Sequence, residues 1–156
     1  MNILFFLTPK RDVDMIYEGD TLGEALDRMA SHEFTCLPIV NEKTGRYVGT
    51  ISEGDILRDL TRGNGRILGI EKSRPVMSIH RKRDFIAISA NSDMEELFSG
   101  AANQNFIPVT DDSGTFIGII TRKSIIEFMT KCCDTCAKNG KEAVPNTDAR
   151  KVPVIV

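Results

Sequence analysis

The chain has 156 residues, of which 41% are hydrophobic and 27% are charged, and its formal net charge is −2. This length and composition can bury a core, in one domain or in two small halves. The slightly acidic balance gives no global basic field, which argues against nucleic acid as a partner. The apolar run ILFFL at residues 3–7 is too short for a signal sequence or a membrane span, so we expect a cytoplasmic protein without membrane association.

The first half of the chain predicts two helices and three short strands. A strand is expected at VDMIY in residues 13–17, and a helix follows, opened by a capping box of Thr21 with Glu24. CLPIV at residues 36–40 and YVGTI at residues 47–51 predict two strands, joined by a turn whose glycine can take a positive φ. The second helix begins within GTISEGDILRDL.

The same order of elements returns after a linker at residues 61–78. FIAIS predicts a strand, Ser92 with Glu95 predicts the cap of a helix, and FIPVT and FIGII predict a hairpin that leads into a last helix. Pro38 and Pro108 are 70 residues apart, and Gly49 and Gly118 are 69 apart, so the offset is nearly constant. A constant offset indicates an internal repeat.

Each half is therefore a β-α-β-β-α unit, repeat 1 in residues 1–60 and repeat 2 in residues 79–130. Three short strands and two helices cannot bury their apolar faces alone, so we expect the two units to pack as a pseudo-two-fold pair. The predicted fold class is α/β, of the α+β kind. Residues 131–156 turn polar and lose periodicity, which predicts a disordered C-terminal tail.

The four cysteines do not indicate a disulfide framework. Cys36 lies in a predicted strand, while Cys132, Cys133 and Cys136 cluster in KCCDTC. No secretory signal is recognised, and the cluster offers three thiolates where structural zinc takes four ligands. We expect reduced thiols, no metal and no cofactor, with a metal or redox sensor as a less favoured alternative.

The duplicated pattern of helix, (L/I)P(I/V), glycine and hydrophobic-Gly-x-Ile-(Ser/Thr) resembles a tandem of CBS domains, a Bateman module, over about residues 1–130. NILFFLTPK, GTISEGDIL and QNFIPV…GIITRKSIIE further resemble compact stand-alone CBS-pair proteins of anaerobic Gram-positive bacteria. The resemblance implies a regulatory protein that binds an adenosine-containing ligand in the cleft between its repeats.

Ser52 and Asp55, three residues apart at the start of a helix, allow two interpretations. They form a capping box, and a hydroxyl with a carboxylate at this spacing can also bind the vicinal hydroxyls of a ribose. In CBS domains this segment is the ribose-holding motif, and the resemblance carries that role to both residues. The resemblance places the base against strand residues of repeat 2, namely Ile86, Ile88, Asn105, Phe106 and Pro108.

The corresponding motif of repeat 2 keeps Thr121 but has Ser124 in place of the acid. A serine makes a weaker, neutral hydrogen bond to ribose, so this site is either empty or uses other anchors. Arg122 and Lys123 at the helix N-terminus could hold a phosphate, although a solvated basic pair is an equal alternative. The resemblance assigns its base pocket to Ile16, Thr35, Cys36 and Pro38.

The sequence therefore predicts a module that senses an adenine nucleotide. Its ligand is AMP, ADP, ATP, cyclic di-AMP or S-adenosylmethionine, and its partners are a second copy, bound through the CBS helices, and an unknown regulated protein. The alternative is a ligand-free dimeric interaction module, which Ser124 supports and Asp55 opposes. An enzyme is not expected, because no nucleophile–His–acid constellation, phosphate-binding Gly-rich loop or pair of catalytic carboxylates emerges.

Overall fold

The computed structural model describes residues 2–32, 34–61 and 72–139, and of residues 132–139 only the backbone. Its helices are α1 (Leu22–His32), α2 (Glu53–Thr61), α3 (Met94–Asn103) and α4 (Arg122–Asn139). Its strands are β1 (Thr8–Pro9), β2 (Ile16–Tyr17), β3 (Cys36–Val40), β4 (Tyr47–Ser52), β5 (Ile88–Ser89), β6 (Phe106–Thr110) and β7 (Phe116–Thr121). The predicted β-α-β-β-α order is confirmed in both repeats, as β2-α1-β3-β4-α2 and β5-α3-β6-β7-α4.

Each repeat builds its sheet around an antiparallel hairpin. In repeat 1, β3 pairs with β4 and, in parallel, with β2. In repeat 2, β6 pairs with β7 and with β5 in the same way, and β1 adds as a fourth strand beside β7. The opening segment of the chain thus belongs to the sheet of repeat 2. The sequence predicts three strands in each sheet and misses β1, because β1 is two residues long and carries no periodicity.

The hairpin turns have the predicted conformation. Gly45 has a φ of 70° and Gly114 a φ of 81°, which glycine adopts without steric cost. The two turns also meet, since the N–H of Phe116 donates to the carbonyl of Gly45 at 2.9 Å and the N–H of Tyr47 donates to that of Gly114 at 3.3 Å. This reciprocal pair of hydrogen bonds joins the repeats at the tips of their hairpins.

Of the caps predicted for α1 and α3, one is correct. Glu24 accepts from the N–H of Thr21 at 2.7 Å, so the capping box of α1 is confirmed. For α3 the prediction of Ser92 is wrong, because Asp93 is the N-cap and accepts from the N–H of Glu96 at 2.9 Å. Asp is as good an N-cap residue as Ser, and the N–H of Ser92 is already used in a turn with Ser89.

The core of each repeat consists of hydrophobic residues, most of them aliphatic, from its sheet and the helices that cover it. In repeat 1 the largest fully buried side chains are Ile16, Leu22, Leu37, Ile39, Val40 and Ile51, and in repeat 2 they are Leu97, Ile107, Phe116 and Ile120. Burial of such side chains contributes about 1.5–3 kcal/mol each. These cores fix the hairpins, whose strand ends carry the candidate site.

The chain divides into two compact units, one ending at Ile125 and one beginning at Ile126. The second unit continues α4 as far as Asn139, so helical backbone extends beyond residue 130, where the sequence analysis begins its tail. No Gly or Pro interrupts residues 122–139, and Gly140 follows directly. Residues 62–71 of the linker, residues 140–156 of the predicted tail and the side chains of the cysteine cluster lie outside the description. Within the described ranges no helix has the length and hydropathy to cross a membrane.

Substitution of Gly118 tests the contact between β1 and β7. A Cβ atom at this position would lie 2.2 Å from the carbonyl oxygen of Thr8, which is backbone and cannot rotate away. We expect Gly118→Ala to displace β1 and to lower the free energy of unfolding by about 1–3 kcal/mol, measured by urea denaturation. Gly19→Ala is the matched control, because nothing lies within 4 Å of its added methyl group. Equal stability of the two variants would contradict the importance of this contact.

Candidate functional site

Two cavities lie along the cleft between the repeats. The first, here called the Asp55 cavity, has a volume of about 150 Å³ and is lined by Cys36, Thr50, Ser52, Asp55, Arg58, Lys82, Arg83 and Phe85. The second, the Thr121 cavity, has a volume of about 270 Å³ and is lined by Thr8, Asp12, Val13, Asp14, Phe34, Cys36, Leu37, Pro38, Asn105, Phe106, Ile119 and Thr121. Cys36 lines both cavities, so they are neighbours.

Ser52 and Asp55 meet where β4 ends and α2 begins. Ser52 donates to Oδ2 of Asp55 through its hydroxyl at 2.7 Å and through its backbone N–H at 3.1 Å. In return, the hydroxyl of Ser52 accepts from the N–H of Asp55 at 3.2 Å. The predicted capping box is therefore present, and it fixes the carboxylate at the wall of the Asp55 cavity.

The other carboxylate oxygen of Asp55 is also occupied. Its Oδ1 accepts from the guanidinium of Arg58 on the same helix and from the backbone N–H of Lys82 at 3.0 Å. The side chain of Asp55 is only 4% exposed. A carboxylate offers about four lone-pair positions, and four donors of the chain fill them.

The hydrogen bonds around Asp55 control its charge. Burial raises its pKa and is the largest single effect, but the N–H of Lys82, the hydroxyl of Ser52 and the guanidinium of Arg58 together outweigh it. The pKa of Asp55 is consequently held below its ordinary value. The carboxylate is ionised at neutral pH and is a strong acceptor for hydroxyl groups.

Lys82 reaches Asp55 because the segment before β5 is hydrogen-bonded to β4. Oδ1 of Asp84 accepts from the N–H of Thr50 at 2.9 Å, and the hydroxyl of Thr50 accepts from the N–H of Phe85 at 3.0 Å. Gly49 makes this possible, since a Cβ atom there would lie 2.3 Å from Oδ1 of Asp84. A glycine in β4 therefore allows the repeat 2 segment to approach the start of α2.

The Asp55 cavity has a basic lining around its single acid. Arg58, Lys82 and Arg83 contribute three cations against the one carboxylate of Asp55. The local field therefore favours an anionic ligand, in contrast to the slightly acidic chain as a whole.

Cys36 contributes a neutral thiol to both cavities. Burial, and next the negative charge of Asp55, raise the pKa of this thiol to about 12. A thiol with a raised pKa is protonated at neutral pH and is a poor nucleophile and metal ligand. In the cleft Cys36 acts as a small apolar surface.

The Thr121 cavity is more apolar and has no carboxylate in its helix cap. The hydroxyl of Thr121 accepts from the N–H of Ser124 at 3.1 Å, and the hydroxyl of Ser124 donates to the carbonyl of Thr121 at 2.8 Å. Phe106 and Ile119 give the cavity an apolar wall, while Asp12 and Asp14 bring acidic groups from the opening segment. The cavity could hold a flat apolar group such as a base.

Arg122 does not face the Thr121 cavity. Its Nε donates to the carbonyl of Ala101 at 2.8 Å, and its Nη2 donates to the carbonyl of Gln104 at 3.0 Å. These bonds satisfy carbonyl groups at the end of α3. Lys123 is exposed at the start of α4 and is likewise absent from the cavity lining.

The structure brings together part of the predicted site. Ser52, Asp55 and Cys36 share one cavity, and Cys36, Pro38, Asn105, Phe106 and Thr121 share the other. Asn105 and Phe106, which the resemblance assigns to the base pocket of Asp55, thus line the Thr121 cavity, because the starts of β3 and β6 both face it.

The remaining predicted residues lie outside both linings. Ile16 and Ile88 are buried core residues, Pro108 is buried in β6, Thr35 is exposed, Ile86 is 71% exposed, and Ser124 belongs to the cap of α4. Their predicted contacts with a ligand stay predictions.

The lining residues that the sequence-based prediction omits include Arg58, Phe34 and Phe85. Arg58 follows Asp55 by three residues, a spacing at which helical side chains interact, so its pairing could have been inferred. Phe34 lies just before β3, in a segment without a periodic signal. Phe85 opens the predicted FIAIS strand, of which only Ile88–Ser89 form β5.

The depressed pKa of Asp55 predicts a pH-dependent contribution to stability. The contribution is present above the unfolded pKa of about 3.9 and is lost as the pH falls through the lower folded value. We expect Asp55→Asn to lower the free energy of unfolding by about 1–3 kcal/mol at pH 7, and the deficit to shrink below about pH 4. Urea denaturation across this range measures it.

Asp27→Asn is the control, because Asp27 forms a surface pair with Lys72 and is 72% exposed. This substitution should have little effect at any pH. A deficit for Asp55→Asn that is as large at pH 3 as at pH 7 would show that its carboxylate charge does not stabilise the fold.

Known proteins resemble the chain in sequence and in structure. A family model described as the CBS domain matches residues 6–62 and 76–131. The crystal structure of CbpB in complex with c-di-AMP superposes with a TM-score of 0.75 at 24% identity, covering 90% of this chain and 91% of that chain. A CBS domain protein from Streptococcus pneumoniae superposes with a TM-score of 0.72 at 26% identity, covering 83% and 86%.

The curated relatives are longer than this chain. The protein MJ1225 of Methanocaldococcus jannaschii is 24% identical over 134 residues, which are 79% of this chain and 48% of MJ1225. The chain spans less than half the length of the curated relatives it matches. The family match covers both repeats, and each repeat has the β-α-β-β-α fold, so the chain belongs to the CBS domain family and carries two CBS domains in tandem.

Proposed function

We propose that this CBS pair is a regulatory module that binds an adenosine-containing ligand in the cleft between its repeats. The observation that carries the proposal is the ionised carboxylate of Asp55, held beside the hydroxyl of Ser52 at the wall of a cleft cavity. Vicinal ribose hydroxyls are donors that match such a carboxylate. No catalytic function is proposed.

Aromatic and apolar groups near Asp55 support binding of a base. Phe85 lines the Asp55 cavity, and its ring packs edge-on against that of Phe106 with centroids 4.9 Å apart. Phe106 in turn lines the Thr121 cavity. Aromatic rings thus connect the two cavities, and a planar base can stack on either of them.

The size of the Asp55 cavity indicates that ligand entry moves side chains. Its volume of about 150 Å³ is below the range of about 300–1,000 Å³ that is usual for small-molecule pockets. A ligand that binds only the opened cleft would shift the population towards that arrangement. This shift would be the signal passed to a second copy or to a regulated protein.

The comparisons support the class of ligand. Two CbpB structures contain c-di-AMP, which is a ligand that contains adenosine. The candidates for this chain are AMP, ADP, ATP, cyclic di-AMP and S-adenosylmethionine.

A ligand-free dimeric interaction module is the second candidate. Two observations favour it: the acceptor positions of Asp55 are filled by the chain's own donors, and Leu57 on α2 is 59% exposed. In this case Ser52 and Asp55 would serve only as a helix cap.

A thermal-shift screen separates the two candidates. A ligand that binds only the folded state at one hundred times its dissociation constant adds about 2.7 kcal/mol, which raises Tm by several degrees. We expect such a shift with at least one of the five candidate ligands, and its loss in Asp55→Ala, each variant being compared with its own ligand-free Tm.

Ser124→Ala is the matched control, because Ser124 occupies the equivalent position in repeat 2 and has no carboxylate. It should retain the shift. An unchanged Tm of the wild-type protein with all five ligands would overturn the proposed function and favour the dimeric interaction module.

A further inference from the structure

We propose that Arg58 makes the Asp55 cavity selective for phosphorylated adenosine ligands over the neutral nucleoside. The inference rests on the proposed function and concerns the regulation of that same site. In the ligand-free protein the guanidinium of Arg58 is bound to Oδ1 of Asp55 and lines the cavity that the ligand must enter.

The acceptor positions of Asp55 are filled in the ligand-free protein. Oδ2 accepts two hydrogen bonds from Ser52, and Oδ1 accepts from Arg58 and from the N–H of Lys82. Because about four lone-pair positions exist and four donors fill them, ribose hydroxyls cannot bind without displacing a donor. Binding of ribose at Asp55 is therefore an exchange of partners.

The donors to Asp55 differ in how firmly the chain holds them. The N–H groups of Ser52 and Lys82 are backbone, held by the start of α2 and by the hydrogen bond of Asp84 to Thr50 in β4. The hydroxyl of Ser52 is held in the capping box, where it also accepts from the N–H of Asp55. Arg58 is different, because its side chain is 48% exposed and has a long flexible stem. Arg58 is the donor that a ribose displaces.

The displaced guanidinium of Arg58 can bind a phosphate of the ligand. The ion pair with a carboxylate that is 4% exposed is lost when Arg58 leaves, and a neutral nucleoside supplies no anion in exchange. A phosphate on the same ligand does, since guanidinium and phosphate form bidentate, charge-assisted hydrogen bonds. Lys82 and Arg83 line the same cavity and add to its preference for an anion.

The position of Arg58 would place the phosphate that it binds at the mouth of the Asp55 cavity. Its Nη1 lies 3.2 Å from the position that a Cβ atom would take at Gly54, so the guanidinium folds back over the first turn of α2. A ribose held at Asp55 would carry its phosphate within reach of this group. The missing side chain at Gly54 leaves the space that the guanidinium occupies.

Repeat 2 lacks both members of the pair. At the 69-residue offset that relates Gly49 to Gly118, Asp55 corresponds to Ser124 and Arg58 corresponds to Glu127. The carboxylate and the guanidinium are thus replaced together.

Calorimetric titration of the full chain with adenosine, AMP, ATP and cyclic di-AMP tests the inference. The measured quantity is the ratio of affinities between the tightest phosphorylated ligand and adenosine. We expect this ratio to fall at least tenfold in Arg58→Met, because phosphate binding weakens while adenosine binding is unchanged or stronger. Arg58→Lys should give an intermediate ratio, because it keeps the charge but not the bidentate geometry.

Arg28→Met is the matched control, since Arg28 pairs with Asp20 in the same repeat and lines neither cleft cavity. It should keep the wild-type ratio. A purely structural role of Arg58 would weaken all four ligands equally, so an unchanged ratio in a folded Arg58→Met protein overturns the inference and leaves the proposed function intact. Failure of all four ligands to bind the wild-type protein overturns the inference, and it overturns the proposed function as well when ADP and S-adenosylmethionine also fail to bind.

Discussion

The buried carboxylate of Asp55 is the interaction on which the arrangement of the cleft depends. It joins three parts of the chain: the end of β4 through Ser52, the last turn of α2 through Arg58, and the segment that enters repeat 2 through Lys82. A buried charge is tolerated only when it is fully hydrogen-bonded, and this one is. Structure and candidate function therefore use the same acceptors.

Because the same acceptors serve structure and candidate function, the interpretations of Ser52 and Asp55 as a helix cap and as a ribose-binding pair are compatible. A cap needs the carboxylate to accept from donors near the helix start, while ribose binding needs it to accept from a ligand. The fold provides both only if one donor can exchange. In repeat 2 the cap is made by Thr121 and Ser124 without a carboxylate, so the helix start does not itself require an acid.

The sequence predicts the repeat, the order of elements and the turns, because each rests on a local or periodic signal. Pro38 and Pro108 mark equivalent strands, and Gly45 and Gly114 mark equivalent turns. The cap of α3 is misplaced by one residue, since Ser92 and Asp93 are both good cap residues and only their competing hydrogen bonds decide between them.

Contacts between the repeats are less predictable. The assignment of Phe106 to a cavity depends on how β3 and β6 face each other across the cleft, which no pattern within one repeat records. Arg58 also shows this limit, because its spacing from Asp55 indicates an ion pair but not that Lys82 completes the set of donors. Site geometry arises here from pairs of residues that are far apart in sequence.

The pairing of β1 with β7 joins the two repeats through a strand that repeat 1 contributes to the sheet of repeat 2. Thr8 and Pro9 belong to repeat 1 in the chain but form the outer strand of the sheet of repeat 2. A fragment that ended after α2 would carry an orphaned strand, and its complement would expose the edge of β7, which sheets normally cover. The two halves are thus better described as complementary pieces of one folding unit than as two modules joined by a tether.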